Sequence, residues 1–285
     1  MKTFFIPNKE SILGQQEILT AKSILALVDG LESHSYDAVY LRQPLNRLEY
    51  IECGIVGKSQ FLFKVTYVDA KKGYQVVLPD LITQADWEIV ESLLQGLSSQ
   101  LGQDVEGLEG FDFEGYFHEN VKNYLADKVA HLVYCQGLLS TIYFNREDLE
   151  SFLAENGLAR FEAIVKKVQQ SDAYFATVKF YPDSEAKIHG IYHLVQGVKT
   201  VLPKEPIIPA PYVEQLAGKD LVWEIDLVKI SGDGSKPEDY EAVARLDYKE
   251  FLEALPVAYY KELDANQLEV QPILGQDFDR LAQEK

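Results

Sequence analysis

Basic residues are scarce in this sequence. Lysine and arginine total 27 against 45 aspartates and glutamates, a formal net charge of −18. So negative a surface repels phosphate backbones, which argues against nucleic acid as a direct partner. It repels anionic membranes for the same reason. It favours solubility and attracts cationic partners. Cysteine is scarcer still, with only Cys53 and Cys135. No Cys-x-x-Cys occurs, and each cysteine sits in an apolar, strand-like run. This reads as two buried thiols in a reducing compartment rather than a disulfide framework. Long hydrophobic runs are lacking too. The apolar run at the start, Phe4-Phe5-Ile6, is too short for a signal peptide. The 17 residues between Lys128 and Arg146 carry no Asp, Glu, Lys or Arg, but they include His131, Gln136, Ser140 and Thr141. A buried strand pair turning at Gln136-Gly137 explains them better than a membrane span. These absences together predict a cytoplasmic protein with neither a membrane nor a nucleic acid as partner.

What is present is an ordinary globular composition. The 285 residues are 47% hydrophobic and 25% charged, enough to bury a sizeable core without staples. The 17 tyrosines and 14 phenylalanines favour sheet. Helix starts are marked by Thr20, by Thr83 with Asp86 three residues on, and by Asn145. The first helix would carry Ile24, Leu25 and Val28 and end near Gly30. The second places Trp87, Val90, Leu94 and Leu97 on one stripe. The third buries Leu149, Phe152 and Leu153 and stops at Asn156-Gly157, and Phe161, Ile164, Val165 and Val168 mark a further helix. Strands are expected over 49–56, 60–69, 74–78, 173–181, 188–195, 198–202 and 221–230. Turns are expected at 69–73 and 182–187. Long helices do not alternate strictly with strands, so the fold class is α+β, mainly antiparallel sheets with packed helices.

A helix start at Thr20 followed by Val77-Leu78-Pro79 is echoed by one at Asn145 followed by Val201-Leu202-Pro203. Two similar α+β halves, 1–130 and 131–285, would produce this echo, and so would chance in one continuous unit. The proline-dense stretch 203–211 reads as a stiff connector, or as a polyproline ligand for an aromatic groove.

Three motifs suggest chemistry. Gly57-Lys58-Ser59 ends like a phosphate-binding loop, but Glu52 stands where that loop needs its first glycine. A strand rather than a helix follows, so no helix N-terminus would face the anion. The motif is therefore expected to be a hairpin turn. His189 and His193, in "HGIYH", could share a metal ion on a helix. In the strand expected here they lie about 13 Å apart, and Gly190 replaces the glutamate of metalloprotease helices. His118 lies beside Asp112, Glu114 and Glu119 and could act as a general base. Equally, these acids would be solvated residues at a helix start. No motif implies a cofactor or a metal.

One segment stands out. From Gly73 to Val121, 49 residues contain no lysine or arginine but ten acids. Near its end Glu106, Glu109, Asp112 and Glu114 interleave with Phe111, Phe113 and Tyr116, and Gly107, Gly110 and Gly115 would leave the backbone loose. Acids with exposed aromatics form a docking surface for a cationic, partly apolar protein or for a second copy of the chain. The competing reading is a solvated face over ordinary core.

The opening "FFIPNKESILG" followed by "EILTAKSILALVDGL" resembles the domain-of-unknown-function family 4299. The resemblance implies a bacterial cytoplasmic protein and carries over no activity, cofactor or site residue. The expected function is non-enzymatic binding of another protein. A carboxylate- and histidine-dependent hydrolase or metal-dependent enzyme, or a small-molecule-binding regulator, are the alternatives.

Overall fold

The computed structural model describes every residue except 12, 13, 16, 128–130, 284 and 285. The chain divides into two compact units, Met1–Gln169 and Gln170–Lys285. The boundary thus falls after the helix that ends at Gln169, not at 130/131.

In the first unit the strands are β1 (Lys2–Pro7), β2 (Glu10–Ser11), β3 (Gly14–Gln15), β4 (Leu31–Ser33), β5 (Ile51–Ile55), β6 (Phe63–Val68), β7 (Gly73–Leu78), β8 (Leu132–Gln136) and β9 (Thr141–Asn145). The helices are α1 (Ala21–Leu25), α2 (Gln84–Leu101), α3 (Phe113–Ala126), α4 (Arg146–Phe152) and α5 (Gly157–Gln169). The main sheet has the order β1-β7-β6-β5-β4 and is antiparallel throughout. β1 pairs with β7 along its whole length. Its side chains alternate, so Phe4 and Ile6 enter the core while Thr3 stays out, the period-2 pattern of a half-buried strand.

α2 follows its sequence signals. The Thr83 hydroxyl accepts the backbone N–H of Asp86 and donates to the Asp86 carboxylate at 2.6 Å. Trp87, Val90, Leu94 and Leu97 are buried along one stripe, and Trp87 meets Phe4 with ring centroids 5.7 Å apart. α4 carries the full reciprocal capping box of Asn145 and Asp148. Phe117 on α3, Phe144 on β9, Phe152 on α4 and Phe161 on α5 form one aromatic cluster. α1 is shorter than expected. Thr20 caps it, but the helix ends at Leu25 and the chain reaches Gly30 through turns. The β8–β9 pair forms as expected, although it is half-buried rather than buried, with Tyr134 and Gln136 exposed.

The second unit has strands β10 (Tyr174–Phe175), β11 (Lys179–Pro182), β12 (Ile188–Val195), β13 (Thr200–Pro203), β14 (Leu221–Ile230), β15 (Tyr240–Asp247), β16 (Tyr260–Glu262) and β17 (Gln267–Val270), and helices α6 (Val213–Leu216), α7 (Tyr248–Ala254) and α8 (Gly275–Leu281). They form two four-stranded sheets, β10-β13-β17-β16 and β11-β12-β14-β15. The pairs β10–β13 and β12–β14 are parallel and the others antiparallel. The expected echo of the first half crosses the boundary between the units. Asn145 caps a helix of the first, while Val201-Leu202-Pro203 belongs to a strand of the second. The core gathers Tyr192, Leu194, Ile225 and Leu227 from one sheet face, Tyr248 and Phe251 from α7, and Phe278 from α8. After β13 the proline-dense stretch runs without regular structure until a short 3-10 turn at Ala210–Tyr212.

Candidate functional site

The acidic segment begins where α2 ends. Gly102 takes the left-handed conformation and its N–H closes on the carbonyl of Ser98 at 2.8 Å. The chain then returns to the sheet edge. The Glu106 N–H donates to the Phe5 carbonyl at 2.8 Å, and the Phe5 N–H donates back at 3.2 Å. Gly107 (φ 87°) and Gly110 (φ 69°) supply the positive φ of the turn that follows, a conformation that costs glycine nothing. These glycines fix a turn rather than loosen the chain. Gly115 lies inside α3, where an added Cβ would meet the Asp112 carboxylate at 2.4 Å.

The aromatics and the acids part company in this segment. Phe113 is 8% exposed and stacks on Trp87. Phe111 is half-buried between Phe4, Trp87 and Tyr116, with centroids 5.2, 4.8 and 5.6 Å away. Tyr116, also half-buried, donates its hydroxyl to the Pro79 carbonyl at 3.0 Å and accepts the Lys2 backbone N–H at 3.2 Å. Burial pushes its phenol up to about 12. The three rings tie the segment to Phe4, Trp87 and Pro79. Glu106, Glu109, Asp112 and Glu114 are all exposed, and among the described residues none of the four forms an ion pair. Asp112 sits at the N-cap of α3 and Glu114 in its first turn, where negative charge is favourable. One cation does come close. The Lys2 ammonium lies 5.4 Å from the ring centroids of both Phe4 and Phe111.

The other candidate chemistry resolves as follows. Gly57-Lys58-Ser59 is the hairpin turn between β5 and β6. The Lys58 and Ser59 N–H groups both donate to the Ile55 carbonyl, at 3.1 and 2.8 Å, and the Ile55 N–H donates to the Ser59 hydroxyl at 2.9 Å. These amides are spent on the turn and do not cradle an anion. Cys53 is buried and Cys135 half-buried, and both are free. Burial pushes both thiols up, Cys135 to about 12 with a further push from Asp80, so neither offers a thiolate at neutral pH.

His189 and His193 lie on one face of β12, as a strand requires, but their surroundings were not legible in the sequence. His189 places Nδ1 at 2.7 Å from Glu224 on β14 and Nε2 at 3.3 Å from Asp183 in the β11–β12 turn. Only an imidazolium can donate to both. The Glu224 hydrogen bond, then that of Asp183, raises the pKa of this histidine. His193 faces a carboxylate already taken. Arg245 on β15 grips Asp226 through two bonds of 2.7 and 2.9 Å, leaving His193 Nε2 at 3.8 Å. Burial lowers the pKa of His193, partly opposed by Asp226. The two acids on His189 occupy opposite edges of the ring and cannot close on one ion with it. Among the described residues there is no group of three or more His, Cys, Asp or Glu side chains suited to a metal. His118 is half-buried against Phe117, with ring centroids 5.7 Å apart, and among the described residues it forms no ion pair with Asp112, Glu114 or Glu119. No helix among the described residues is long and apolar enough to cross a membrane.

The architecture defines an acidic α+β protein built of two units, with charged and histidine-bearing surfaces laid over aromatic cores. The chain belongs to the family described as Domain of unknown function (DUF4299), which matches residues 1–281. Comparison with curated proteins gives no match, and neither does comparison with solved structures.

Proposed function

We propose that this is a binding protein of the bacterial cytoplasm whose acidic segment, Glu106 to Glu114, docks a cationic protein partner. One observation carries the reading. Four exposed carboxylates, without ion-pair partners among the described residues, stand on a turn and helix start held in place by Phe111, Phe113 and Tyr116. A charged group on an immobilised backbone loses little freedom when a partner arrives, which lowers the cost of association. The Lys2 ammonium over Phe111 supplies an example within the chain of a cation beside these rings.

The enzymatic alternative draws on His189. Its geometry weakens that reading, because a general base needs a ring nitrogen turned towards substrate and both nitrogens here face carboxylates.

The test is kinetic. A basic partner should associate more slowly as salt rises, because exposed charges are screened over about 8 Å at physiological ionic strength. Neutralising Glu106, Glu109, Asp112 and Glu114 to their amides should remove most of that salt dependence. Equal salt dependence in the variant would reject the segment as the docking surface. Self-association would appear instead as a concentration-dependent mass.

A further inference from the structure

We infer that the second unit holds a small-molecule site, a cleft beside β14 and α7 that takes a compact apolar or aromatic ligand bearing one ammonium group. The cleft has a volume of about 500 Å³ and an apolar lining from Leu221, Trp223, Tyr248 and Leu252. Ligand pockets commonly span about 300–1,000 Å³ with such linings and a few polar groups.

The walls are fixed before any ligand arrives. The Tyr248 hydroxyl donates to the Pro203 carbonyl at 2.6 Å. Asn266, only 1% exposed, clamps the wall formed by Lys204 and Glu205. Its side-chain oxygen accepts the Glu205 N–H at 2.8 Å, its amide donates to the Glu205 carbonyl at 3.0 Å, and its backbone carbonyl accepts the Lys204 N–H at 2.6 Å. Trp223 is seated over Gly190, where an added Cβ would meet indole atoms at 2.6 Å. Phe180 and Tyr192 hold the same indole, with centroids 5.9 and 6.2 Å away. The glycine that spoils "HGIYH" as a metal motif therefore makes room for the tryptophan of the cleft.

Charge selects the ligand. Lys204, Glu205, Asp247 and Lys249 also line the cleft. The Lys204 ammonium is 3.1 Å from Glu262, so its charge is met. Lys249 is 85% exposed and reaches towards Glu253 at 3.9 Å. Asp247 spends one oxygen, Oδ1, on the N–H groups of Lys249 and Glu250. Its Oδ2 has no hydrogen bond among the described residues. With Lys204 drawn to Glu262 and Lys249 towards Glu253, Asp247 Oδ2 is left as an acceptor at the mouth, within the field of a chain of net charge −18. Tryptophan and tyrosine rings attract an ammonium through their π faces.

The chain has two tryptophans, so protein labelled with 15N at the indole gives two resolved signals, from Trp87 and Trp223. The probe is benzyltrimethylammonium. The Trp223 signal should shift saturably while that of Trp87 stays still. Phenylacetate should bind at least about five-fold more weakly. Asp247→Asn keeps the helix cap and should weaken the ammonium probe several-fold, with an unchanged melting temperature showing that the variant is folded. Leu252→Trp, which fills the cleft, should abolish the shift. No saturable shift at Trp223, phenylacetate binding as tightly, or full affinity in Asp247→Asn would each overturn the assignment.

Discussion

Phe113 stacks on Trp87, with ring centroids 5.9 Å apart and planes 5° from parallel. The ring that opens α3 is thereby pinned to the stripe of α2, and the carboxylates beside it are left facing water. Phe113→Ala should therefore act on stability. Loss of a buried phenylalanine costs about 3–5 kcal/mol, visible as a lower urea midpoint. A Phe113→Ala protein that melts like the parent but binds its partner poorly would show that the ring is a contact residue instead.

The Gly57-Lys58-Ser59 turn gives a second expectation. Lys58 is exposed, so Lys58→Ala should change stability by less than about 0.5 kcal/mol. Ser59 is buried and accepts the Ile55 N–H, so Ser59→Ala should cost about 1–3 kcal/mol by orphaning that amide. Calorimetric titration with ATP should show no saturable heat. Micromolar affinity lost in Lys58→Ala would restore the phosphate-loop reading.

The two strand histidines predict opposite pH effects. His189 has a raised pKa in the folded state, chiefly through Glu224 and then Asp183. Its contribution is complete below its unfolded value of about 6.5 and fades as pH rises through the higher folded value. The pKa of His193 is lowered by burial, so it opposes folding only as pH falls below about 6.5. His189→Gln should flatten the alkaline arm of the stability profile and leave the acid arm. The reverse pattern would mean the protonation states are misassigned.

Metal content follows from the same geometry. His189 and His193 stand four residues apart on one strand, about 13 Å, and the acids of His189 lie at opposite ring edges. Purified protein should carry no stoichiometric zinc, and a chelator should leave its melting temperature unchanged. One bound metal per chain, lost in His189→Ala with His193→Ala, would contradict this.

Much of the fold could be read from local chemistry. Thr83, Asp86 and Asn145 announce their helices because a cap is made within four residues. Gly57 and the residues at 69–73 announce hairpins for the same reason. What was hidden is what depends on distant partners. β1 looks like a stray apolar run until it is paired with β7. β15 is exposed along most of its length, and its alternation is confined to the end where Ala244 and Leu246 meet the core. Nothing around "HGIYH" points to Glu224, 35 residues away. In the acidic segment the residue types were legible but their burial was not. Phe111, Phe113 and Tyr116 face Trp87 and Pro79, residues from earlier in the chain whose approach no local pattern records.

The docking reading is tested most directly by hydrogen exchange on the protein with and without its captured basic partner. Residues 104–116 should gain protection when the partner is bound, and the gain should disappear when Glu106, Glu109, Asp112 and Glu114 are changed to amides. Protection confined to other parts of the chain, or unchanged in the neutralised variant, would show that these acids are only a solvated face over the core.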